Sequence, residues 1–441
     1  MASSPREGEN GIPCEALSGK KYMVIGGTQF MGRHLVSKLL SLGAEVVLLN
    51  RGKTPNPFEG HPRVSLLRCD RLNQRAAFRR IVRKFAGDGI VDFVCFKPHS
   101  IRDVITSVKR QEGRPAPHYV FISSDSVFMA VDRTAVDAAH ARAQASSQSG
   151  GGGLREEDVP LEPPSAEAKA AALRRNAYQF GYGSGKLKCE VELRGGRYPE
   201  YSCLRLPDVI GQFDNLGSHL SVQEALCSGA SVGVRMEGVH DPVGHRISIA
   251  YAPNVADAIV SVMRTGVAAY GQTFHIACKQ STTLPDYVRM VAEMCGISEV
   301  NLDVGQDSEM VSVDTGHLDV SRATKVLLDW TPAHLREAIQ TTVVWNFNLE
   351  NAGYTRNLAS DSSGSSSSSS SGNSDEDIIG DGGDKEAVVI EDDGGNSVDA
   401  YGGDRKRKHG VGGSPPPRVE GGGLHKAFQP GAPVQFSFNL E

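Results

Sequence analysis

Tyr182 and Lys186 are the two residues whose types and spacing most directly suggest chemistry. They stand four positions apart in the segment YGSGK, so on a helix they share one face and can point into the same cleft. A phenol beside an ammonium group ionises more readily, so the pair could accept and return a proton. Ser124 could join them because it follows the buried-strand pattern His118–Ile122, at the strand end where open α/β sheets bind ligands. A Y-x-x-x-K spacing also arises by chance, and a serine there can be a helix cap, so the surrounding elements must decide.

The segment Lys21–Gly52 has the pattern of a strand, a glycine turn, an amphipathic helix and a second strand. In such a unit the N–H groups of the turn and the start of the helix bind a pyrophosphate. Gly26 and Gly32 are the first and last glycines, and Gln29 stands at the middle position, where a glycine is usual. A purely structural turn is the alternative. We predict that the turn binds a dinucleotide through Gly26, Gly27, Thr28, Gln29, Phe30, Met31 and Gly32.

The residues after the second and third strands suggest which dinucleotide binds. Asn50 and Arg51 end the second strand, where an NAD-specific site usually carries a carboxylate for the ribose 2′-hydroxyl. Arg51, together with Arg33 at the start of the helix, could instead meet a 2′-phosphate. We therefore expect NADP or NAD as the cofactor, with a preference for NADP; solvated surface arginines are the alternative. Asp70 follows the third strand and is predicted either to contact adenine or to cap the next turn.

Strand and helix patterns continue to alternate along the chain. The sequence therefore predicts an α/β fold, a Rossmann-type doubly wound parallel sheet with a smaller C-terminal substrate lobe and a disordered C-terminal tail. Further strands are predicted at Val64–Leu67, Ile90–Phe96, His118–Ile122 and within Cys203–Gly211. The predicted regions are a flexible N-terminus (1–19), a dinucleotide-binding domain (20–210) with a mobile insertion at about 129–170, the substrate lobe (211–350) and the tail (355–441).

Several segments resemble the extended short-chain dehydrogenase/reductase family, and within it the NAD-dependent epimerase/dehydratase group that acts on nucleotide sugars. The opening GGTQFMGRHL is similar to a branch of the family in which a larger residue replaces the middle glycine. FISSDSVF resembles the segment that delivers the catalytic serine or threonine, YGSGK resembles the segment with the tyrosine and lysine pair, and RLPDVIG resembles a turn beside cofactor and substrate. The resemblance covers about Lys21–Phe347.

The resemblance implies that Ser124, Tyr182 and Lys186 are catalytic, with Tyr182 taking a proton from a sugar hydroxyl while a hydride passes to the nicotinamide. It also implies substrate contacts, for which Asp125, Arg205 and Arg246 are candidates; either arginine could instead form a structural ion pair. We place an epimerase or oxidoreductase ahead of a dehydratase, because the glutamate that dehydratases carry after the aspartate is missing. A non-catalytic NAD(P)-binding scaffold or an RNA-associated member of the family is the alternative class.

The composition limits the partners and the location. The net charge of −5 and the lack of a basic, aromatic-rich stretch give no reason to expect a nucleic-acid partner. No stretch approaches the roughly 20 apolar residues of a membrane span. The eight cysteines are scattered, which favours free thiols in a reducing compartment and no metal site. We therefore expect a nucleotide-sugar substrate and a cytoplasmic location and leave a homodimer open; the basic cluster at Arg405–His409 resembles a nuclear import signal, with a solvated charge cluster as the alternative.

Overall fold

A seven-stranded parallel sheet with helices on both faces forms the centre of the structure, which confirms the predicted fold class. The computed structural model describes residues 16–110, 113, 115–146, 152–160, 163–196, 198–215, 217–236, 244–304, 310–312 and 316–351. The strands are β1 (Lys21–Ile25), β2 (Glu45–Asn50), β3 (Val64–Arg68), β4 (Gly89–Asp92), β5 (His118–Ser124), β6 (Tyr201–Leu206), β7 (Asp208–Ile210), β8 (Val232–Met236), β9 (Arg246–Ile247), β10 (Ile249–Tyr251), β11 (Gln272–His275), β12 (Thr282–Thr283), β13 (Leu302–Val304) and β14 (Met310–Ser312). The α-helices are α1 (Phe30–Ser41), α2 (Arg75–Lys84), α3 (Pro98–Ile105), α4 (Arg133–Ser146), α5 (Ala166–Gly195), α6 (Ser218–Ser228), α7 (Ala252–Thr265), α8 (Leu284–Met294), α9 (Ser321–Val326) and α10 (Leu335–Asn351).

The central sheet has the strand order β11-β6-β5-β4-β1-β2-β3, and every neighbouring pair is parallel. The order reverses between β1 and β4, which is the position where doubly wound sheets bind ligands at the carboxyl ends of their strands. The remaining described strands form three small sheets, β10-β7, β12-β9 and β13-β8-β14.

Apolar side chains cover both faces of the central sheet because alternate residues of each strand point in opposite directions. Val24 packs in a core with Leu35 of α1 and Ile259 of α7. Met23, the neighbour of Val24, packs on the other face in a core that includes Phe78 of α2. A third core lies between α6, α8 and α10. Within the described residues, no helix combines the length and the apolar composition that crossing a membrane requires.

The turn between β1 and α1 depends on its glycines for two physical reasons. Gly26 has φ +89°, a conformation that L-residues with a side chain rarely adopt. A Cβ atom on Gly32 would lie 2.2 Å from the carbonyl oxygen of Gly26, so only glycine lets α1 begin so close to the turn. Gln29 precedes the first helical residue and is exposed, so it does not block the turn.

Helix α5 consists of two helical segments joined at Asn176, which has non-helical backbone angles. The side-chain oxygen of Asn176 accepts the N–H of Gln179 at 2.9 Å and caps the second segment. Glycines weaken an isolated helix, but here they allow close packing. A Cβ atom on Gly183 would lie 2.0 Å from the carbonyl oxygen of Ser126, so the helix and the residues after β5 are in direct backbone contact.

The boundary between sheet and lobe differs from the prediction. β11 lies within the range assigned to the lobe, yet it pairs with β6 and completes the central sheet. Helix α7, which precedes it, packs on the same core as α1. The chain therefore returns to the dinucleotide-binding domain after β10, and the lobe is not one continuous segment.

The insertion and the N-terminus also contain more structure than predicted. The insertion forms α4, where Val136 and Ala139 are buried in a small core with Leu154. Leu154 in turn forms a parallel bridge with Leu318. At the N-terminus Leu17 is buried, and its N–H donates to the carbonyl oxygen of Leu42 at 2.9 Å. The predicted tail, with its basic cluster, and residues 1–15 lie outside the described residues.

Candidate functional site

A cavity of about 330 Å³ opens at the carboxyl ends of β1 to β4, at the switch point of the sheet. Six of the predicted cofactor residues line it: Gly26, Thr28, Gln29, Asn50, Arg51 and Asp70. Gly27, Phe30, Met31 and Gly32 do not line the cavity and instead form the interior of the turn and the first turn of α1. The hydroxyl groups of Thr28 and Thr54 are 2.9 Å apart and connect the turn to the loop after β2.

The described cavity lining carries more positive than negative charge. Arg51, Lys53 and Lys97 line it and are exposed. Asp70 is the acidic residue among the lining residues, and its Oδ1 accepts the N–H groups of Leu72 at 2.9 Å and Asn73 at 3.2 Å. These hydrogen bonds lower the pKa of Asp70. The capping role that the sequence left open is therefore present, and an anionic ligand would meet a net positive lining.

A buried charged group beneath this cavity was not found from the sequence. The guanidinium of Arg71 donates to both carboxylate oxygens of Asp92, at 2.8 and 2.7 Å, and to the carbonyl oxygen of Ser100 at 3.0 Å. Tyr119 donates its hydroxyl to the same carboxylate at 2.9 Å. This network ties the loop after β3 to the end of β4 and to the start of β5, and Arg71 lines the cavity. The only sequence signal was an arginine and an aspartate after two strands of the sheet.

Ser124 and Tyr182 come together as their positions in the sequence suggested. Ser124 ends β5, and its Oγ accepts the N–H of Ser126 at 3.1 Å, so it also caps a 3₁₀ helix. Tyr182 lies on α5, close enough for Ser124 to lower the pKa of its phenol. The Ser124 Oγ itself donates to Ser126 Oγ at 3.1 Å and to Asp125 Oδ1 at 3.3 Å. The Tyr182 ring is 6.1 Å from the ring of Phe96, which lines the cavity, whereas Ser124, Tyr182 and Lys186 do not line it.

Burial raises the pKa of Tyr182 to about 12, while the neighbouring Ser124 side chain acts in the opposite direction. The buried carboxylate of Asp125, next to Ser124 in the chain, adds to the increase. The phenol of the protein without ligand is therefore protonated at neutral pH. We expected an ionised phenol favoured by Lys186; in the structure, burial dominates the titration of Tyr182.

Lys186 is fully buried, and its ammonium group donates hydrogen bonds to two main-chain carbonyl oxygens. Its Nζ donates to the carbonyl oxygens of Cys95 at 2.9 Å and Ile122 at 2.8 Å, so it bridges the chain after β4 and strand β5. The same Nζ is 5.7 Å from the centre of the Tyr182 ring. Burial lowers the pKa of Lys186. Lys186 therefore holds the chain after β4 against β5, and it lies near the Tyr182 ring.

Of the two candidate arginines for the substrate, Arg205 forms the structural ion pair that the sequence left open. It is fully buried on β6 and donates to both carboxylate oxygens of Glu190 on α5, at 2.9 and 2.7 Å. Ser123 donates to the same carboxylate at 2.7 Å. A substrate cannot reach Arg205 there, so the geometry gives it a positioning role: it joins β6 and α5 beside Ser124.

Arg246, the second candidate, lies exposed on β9 and donates its Nε to the hydroxyl of Ser281 at 2.8 Å. It is part of the small β12-β9 sheet and does not line the cavity. Arg33, which we paired with Arg51, also lies elsewhere: its guanidinium stacks on the ring of Phe213 at 3.7 Å. Within the described residues, no cluster of three or more histidines, cysteines or acidic residues could hold a metal ion.

The residues present fit a nicotinamide dinucleotide. The glycine turn brings backbone N–H groups and the start of α1 to the cavity, where a Cβ atom at Gly32 could not be accommodated. No acidic side chain lies in the first turn of α1, so its positive end is not neutralised there. Arg51 and Lys53 stand beyond the end of β2, on the side where the adenosine ribose lies in this class of fold.

Fold and cavity together define a Rossmann-type protein of the doubly wound class. Residues 22–142 match the family model of the NAD dependent epimerase/dehydratase family. The match covers most of the dinucleotide-binding segment up to α4, and it confirms the resemblance drawn from the sequence. No curated protein matches the chain in sequence.

Solved structures with the same fold include nucleotide-sugar enzymes. The dTDP-glucose 4,6-dehydratase of Bacillus anthracis, in complex with NAD, has a TM-score of 0.54 and 14% identity, over 76% of this chain and 98% of that one. The UDP-glucose 4-epimerase of Thermotoga maritima, with UDP-glucose, has a TM-score of 0.53 and 17% identity, over 75% and 99%. The UDP-glucuronic acid 4-epimerase of Bacillus cereus, with UDP-glucuronic acid and NAD, has a TM-score of 0.53 and 16% identity, over 75% and 99%. At these identities the similarity shows the fold alone.

Proposed function

We propose that this chain is an NAD(P)-dependent enzyme that acts on a nucleotide sugar, as an epimerase or oxidoreductase, through a transient keto sugar. The observation that carries the proposal is that α5 packs directly on the chain after β5, which brings Tyr182 close to Ser124, beside a cavity that fits a dinucleotide. The family match over residues 22–142 and the nucleotide-sugar enzymes among the structural neighbours support it.

In the proposed reaction Tyr182 accepts the proton of a sugar hydroxyl as the keto sugar forms. In an epimerase it would return the proton to the carbonyl oxygen when the hydride is transferred back to the carbon. Ser124 hydrogen-bonds the reacting oxygen as it changes between hydroxyl and carbonyl. Bound oxidised NAD(P) would accept the hydride and add a positive charge that favours the phenolate. Lys186 holds the chain after β4 and strand β5 in place through its two carbonyl contacts and keeps a positive charge near the phenol.

Replacement of Tyr182 by phenylalanine tests the mechanism. We expect Tyr182→Phe to abolish conversion of nucleotide sugars and to leave dinucleotide affinity nearly unchanged, because the hydroxyl is the proton carrier and the cavity lining is untouched. Tyr178→Phe is the matched control, since Tyr178 lies one helical turn earlier on α5 and is 78% exposed. A Tyr182→Phe protein that converts substrate as well as the control would remove the mechanism.

We propose NADP as the preferred cofactor, although the neighbours named above were solved with NAD. Arg51 lines the cavity after β2, where no carboxylate stands to select the 2′-hydroxyl. Binding of both dinucleotides to purified protein tests the preference. Tighter binding of NADP, reduced by Arg51→Ser to the level of NAD, is the expected result; tighter binding of NAD by the wild type would reject it.

A dinucleotide-binding protein without catalysis is the second candidate, and Lys186 favours it. Its ammonium group is fully buried on two main-chain carbonyls, and burial keeps the pKa of Tyr182 high. Such a protein would bind NAD(P) and convert no nucleotide sugar. A dehydratase is a third candidate; Ser126, rather than a glutamate, follows Asp125, which places it behind the other two. A cytoplasmic location and a homodimer stay predictions.

A further inference from the structure

A second cavity, of about 180 Å³, opens at the amino ends of β1, β4 and β5. Tyr22 near the start of β1, Asp88 just before β4 and His118 at the start of β5 line it. Because these strands are parallel, the length of the sheet separates this cavity from the carboxyl ends, where a dinucleotide would bind. The two cavities share no lining residue, so the second one is a separate candidate site.

The size and the walls of the second cavity suit one aromatic ring. Four rings line it, those of Tyr22, Phe85, His118 and Tyr270. The His118 and Tyr270 rings pack edge to face with their centres 4.7 Å apart, an arrangement that a further ring can extend. A cavity of about 150 Å³ is enough to hold benzene, whereas sites for larger ligands measure about 300 Å³ or more. The space therefore admits a single-ring compound and is too small for a nucleotide sugar.

The buried end of this cavity offers a hydroxyl group and an imidazole nitrogen. Tyr22 is 4% exposed, and its hydroxyl has no hydrogen-bond partner among the described residues. His118 is 3% exposed, and its Nε2 lies 2.9 Å from the hydroxyl of Ser202, which donates to the carbonyl oxygen of Ala269 at 2.6 Å. Burial lowers the pKa of His118 to about 3, so the neutral ring carries its proton on Nε2 and leaves Nδ1 as an acceptor without a partner in the described part of the chain. Buried polar atoms of this kind favour a ligand that completes their hydrogen bonds.

The open end of the cavity carries a positive charge. Lys20 and Lys109 line it there, and both are exposed. The ammonium group of Lys20 pairs with the carboxylate of Asp88 at 3.0 Å. Within the described residues, the ammonium group of Lys109 forms neither a hydrogen bond nor an ion pair, so its charge is not compensated. An anionic group at this end of a ligand would be attracted to Lys109.

We propose that this cavity is a second ligand site, which binds a single-ring aromatic acid that carries a hydroxyl group on the ring. The ring lies among the four aromatic side chains, the hydroxyl group lies beside Tyr22 and His118, and the carboxylate lies at Lys109. A phenolic hydroxyl can accept a hydrogen bond from Tyr22 and donate one to Nδ1 of His118. The site does not depend on the proposed use of a dinucleotide.

Ligand-observed NMR titrations of the full chain with matched probes test this site. The probes are 4-hydroxybenzoate, benzoate, which lacks the hydroxyl group, and phenol, which lacks the carboxylate. Tyr22→Phe removes the hydroxyl and keeps the ring, and Lys109→Met removes the charge and keeps the length of the side chain. Tyr178→Phe, on the exposed side of α5, and Lys53→Met, in the first cavity, are the matched controls.

The wild type is expected to bind 4-hydroxybenzoate about fivefold more tightly than benzoate, as one hydrogen bond allows, and about threefold more tightly than phenol at low salt. Tyr22→Phe should reduce the affinity for 4-hydroxybenzoate to that for benzoate, and Lys109→Met should reduce it to that for phenol. The effect of Lys109→Met should shrink at high salt, because exposed charges are screened. Both controls should bind as the wild type does, and saturation with NAD or NADP should leave the affinity unchanged.

Three outcomes would overturn the inference. The first is that the wild type does not bind 4-hydroxybenzoate at millimolar concentration. The second is that neither Tyr22→Phe nor Lys109→Met alters its affinity; Lys109 is exposed, so the second variant keeps the test valid even if the first does not fold. The third is that NAD or NADP displaces 4-hydroxybenzoate, which would place it in the first cavity. A protein that binds 4-hydroxybenzoate as expected but converts no nucleotide sugar would keep this inference and reject the proposed function alone.

Discussion

Gly183 on α5 offers a sharp test of how Tyr182 is placed. A Cβ atom at this position would lie 2.0 Å from the carbonyl oxygen of Ser126, which is backbone and cannot rotate away. Because real Cβ atoms do not approach closer than 3.0 Å, Gly183→Ala must move the helix or the 3₁₀ turn by about 1 Å. Displacements of this size in a catalytic group reduce rates by about 100-fold.

Gly181→Ala is the matched control on the same helix. A Cβ atom at Gly181 meets nothing within 4 Å, so the substitution should only add helix propensity, about 1 kcal/mol at most. We therefore expect the two variants to move the melting temperature in opposite directions: Gly181→Ala up by about 2 °C and Gly183→Ala down.

Thermal unfolding and sugar conversion are the assays for this pair. Gly183→Ala should also lose about 100-fold in conversion rate, whereas Gly181→Ala should keep the wild-type rate. Equal melting temperatures and equal rates for the two variants would refute the close contact between α5 and the end of β5, and with it the placement of Tyr182.

Two further predictions concern buried charge. Glu190→Ala leaves the guanidinium of Arg205 buried and unpaired, so the free energy of unfolding measured by chemical denaturation should fall by about 3 to 5 kcal/mol. Glu293→Ala removes an exposed pair with Arg336 and should change this free energy little; equal effects of the two substitutions would contradict the buried pair. Burial lowers the pKa of His219 to about 4, so the neutral imidazole favours the folded state above pH 6.5, and about 3 kcal/mol of stability is lost as the pH falls towards 4. Unfolding free energies of the wild type and of His219→Gln at pH 7 and pH 4 measure this loss; parallel declines of the two proteins would reject it.

The central architecture could be predicted because it follows from local patterns. The apolar strands, the glycine turn and the leucines of α1 repeat with the periods of strand and helix, and parallel order follows from their alternation. Ser124 and Tyr182 could be placed together because the end of a parallel strand and the face of the following helix meet at one edge of the sheet. The bounds of most elements agree within a few residues; β4 is shorter, since it ends at Asp92, whose side chain accepts the N–H of Val94.

The remaining features could not be predicted because they depend on contacts between residues that are far apart in the sequence. Whether Arg205 binds a substrate or pairs with Glu190 depends on how β6 packs against α5, which no local pattern specifies. β11 could not be assigned to the central sheet because the chain leaves the sheet after β6 and returns through α7. Helix α4 was missed since its alanine and serine content suggested a flexible segment, although a few apolar residues such as Val136 pack it against the protein.

The charge of the cavity was also only partly visible in the sequence. Arg51 was identified because it directly follows β2, where a known selectivity position lies. Lys53 and Lys97 belong to loops whose paths depend on the packed structure, so they were not distinguished from solvated surface lysines. The network of Arg71, Asp92 and Tyr119 joins the loop after β3, the end of β4 and the start of β5, which come together only in the folded protein.

Incubation of the purified protein and of Tyr182→Phe with NAD or NADP and a panel of nucleotide sugars tests the central claim most directly. Nicotinamide absorbance and chromatography of the sugars report hydride transfer and product together. The account predicts an altered nucleotide sugar with the wild type and none with Tyr182→Phe, although both proteins bind the dinucleotide. Dinucleotide binding without conversion of any sugar, or equal conversion by both proteins, would contradict it.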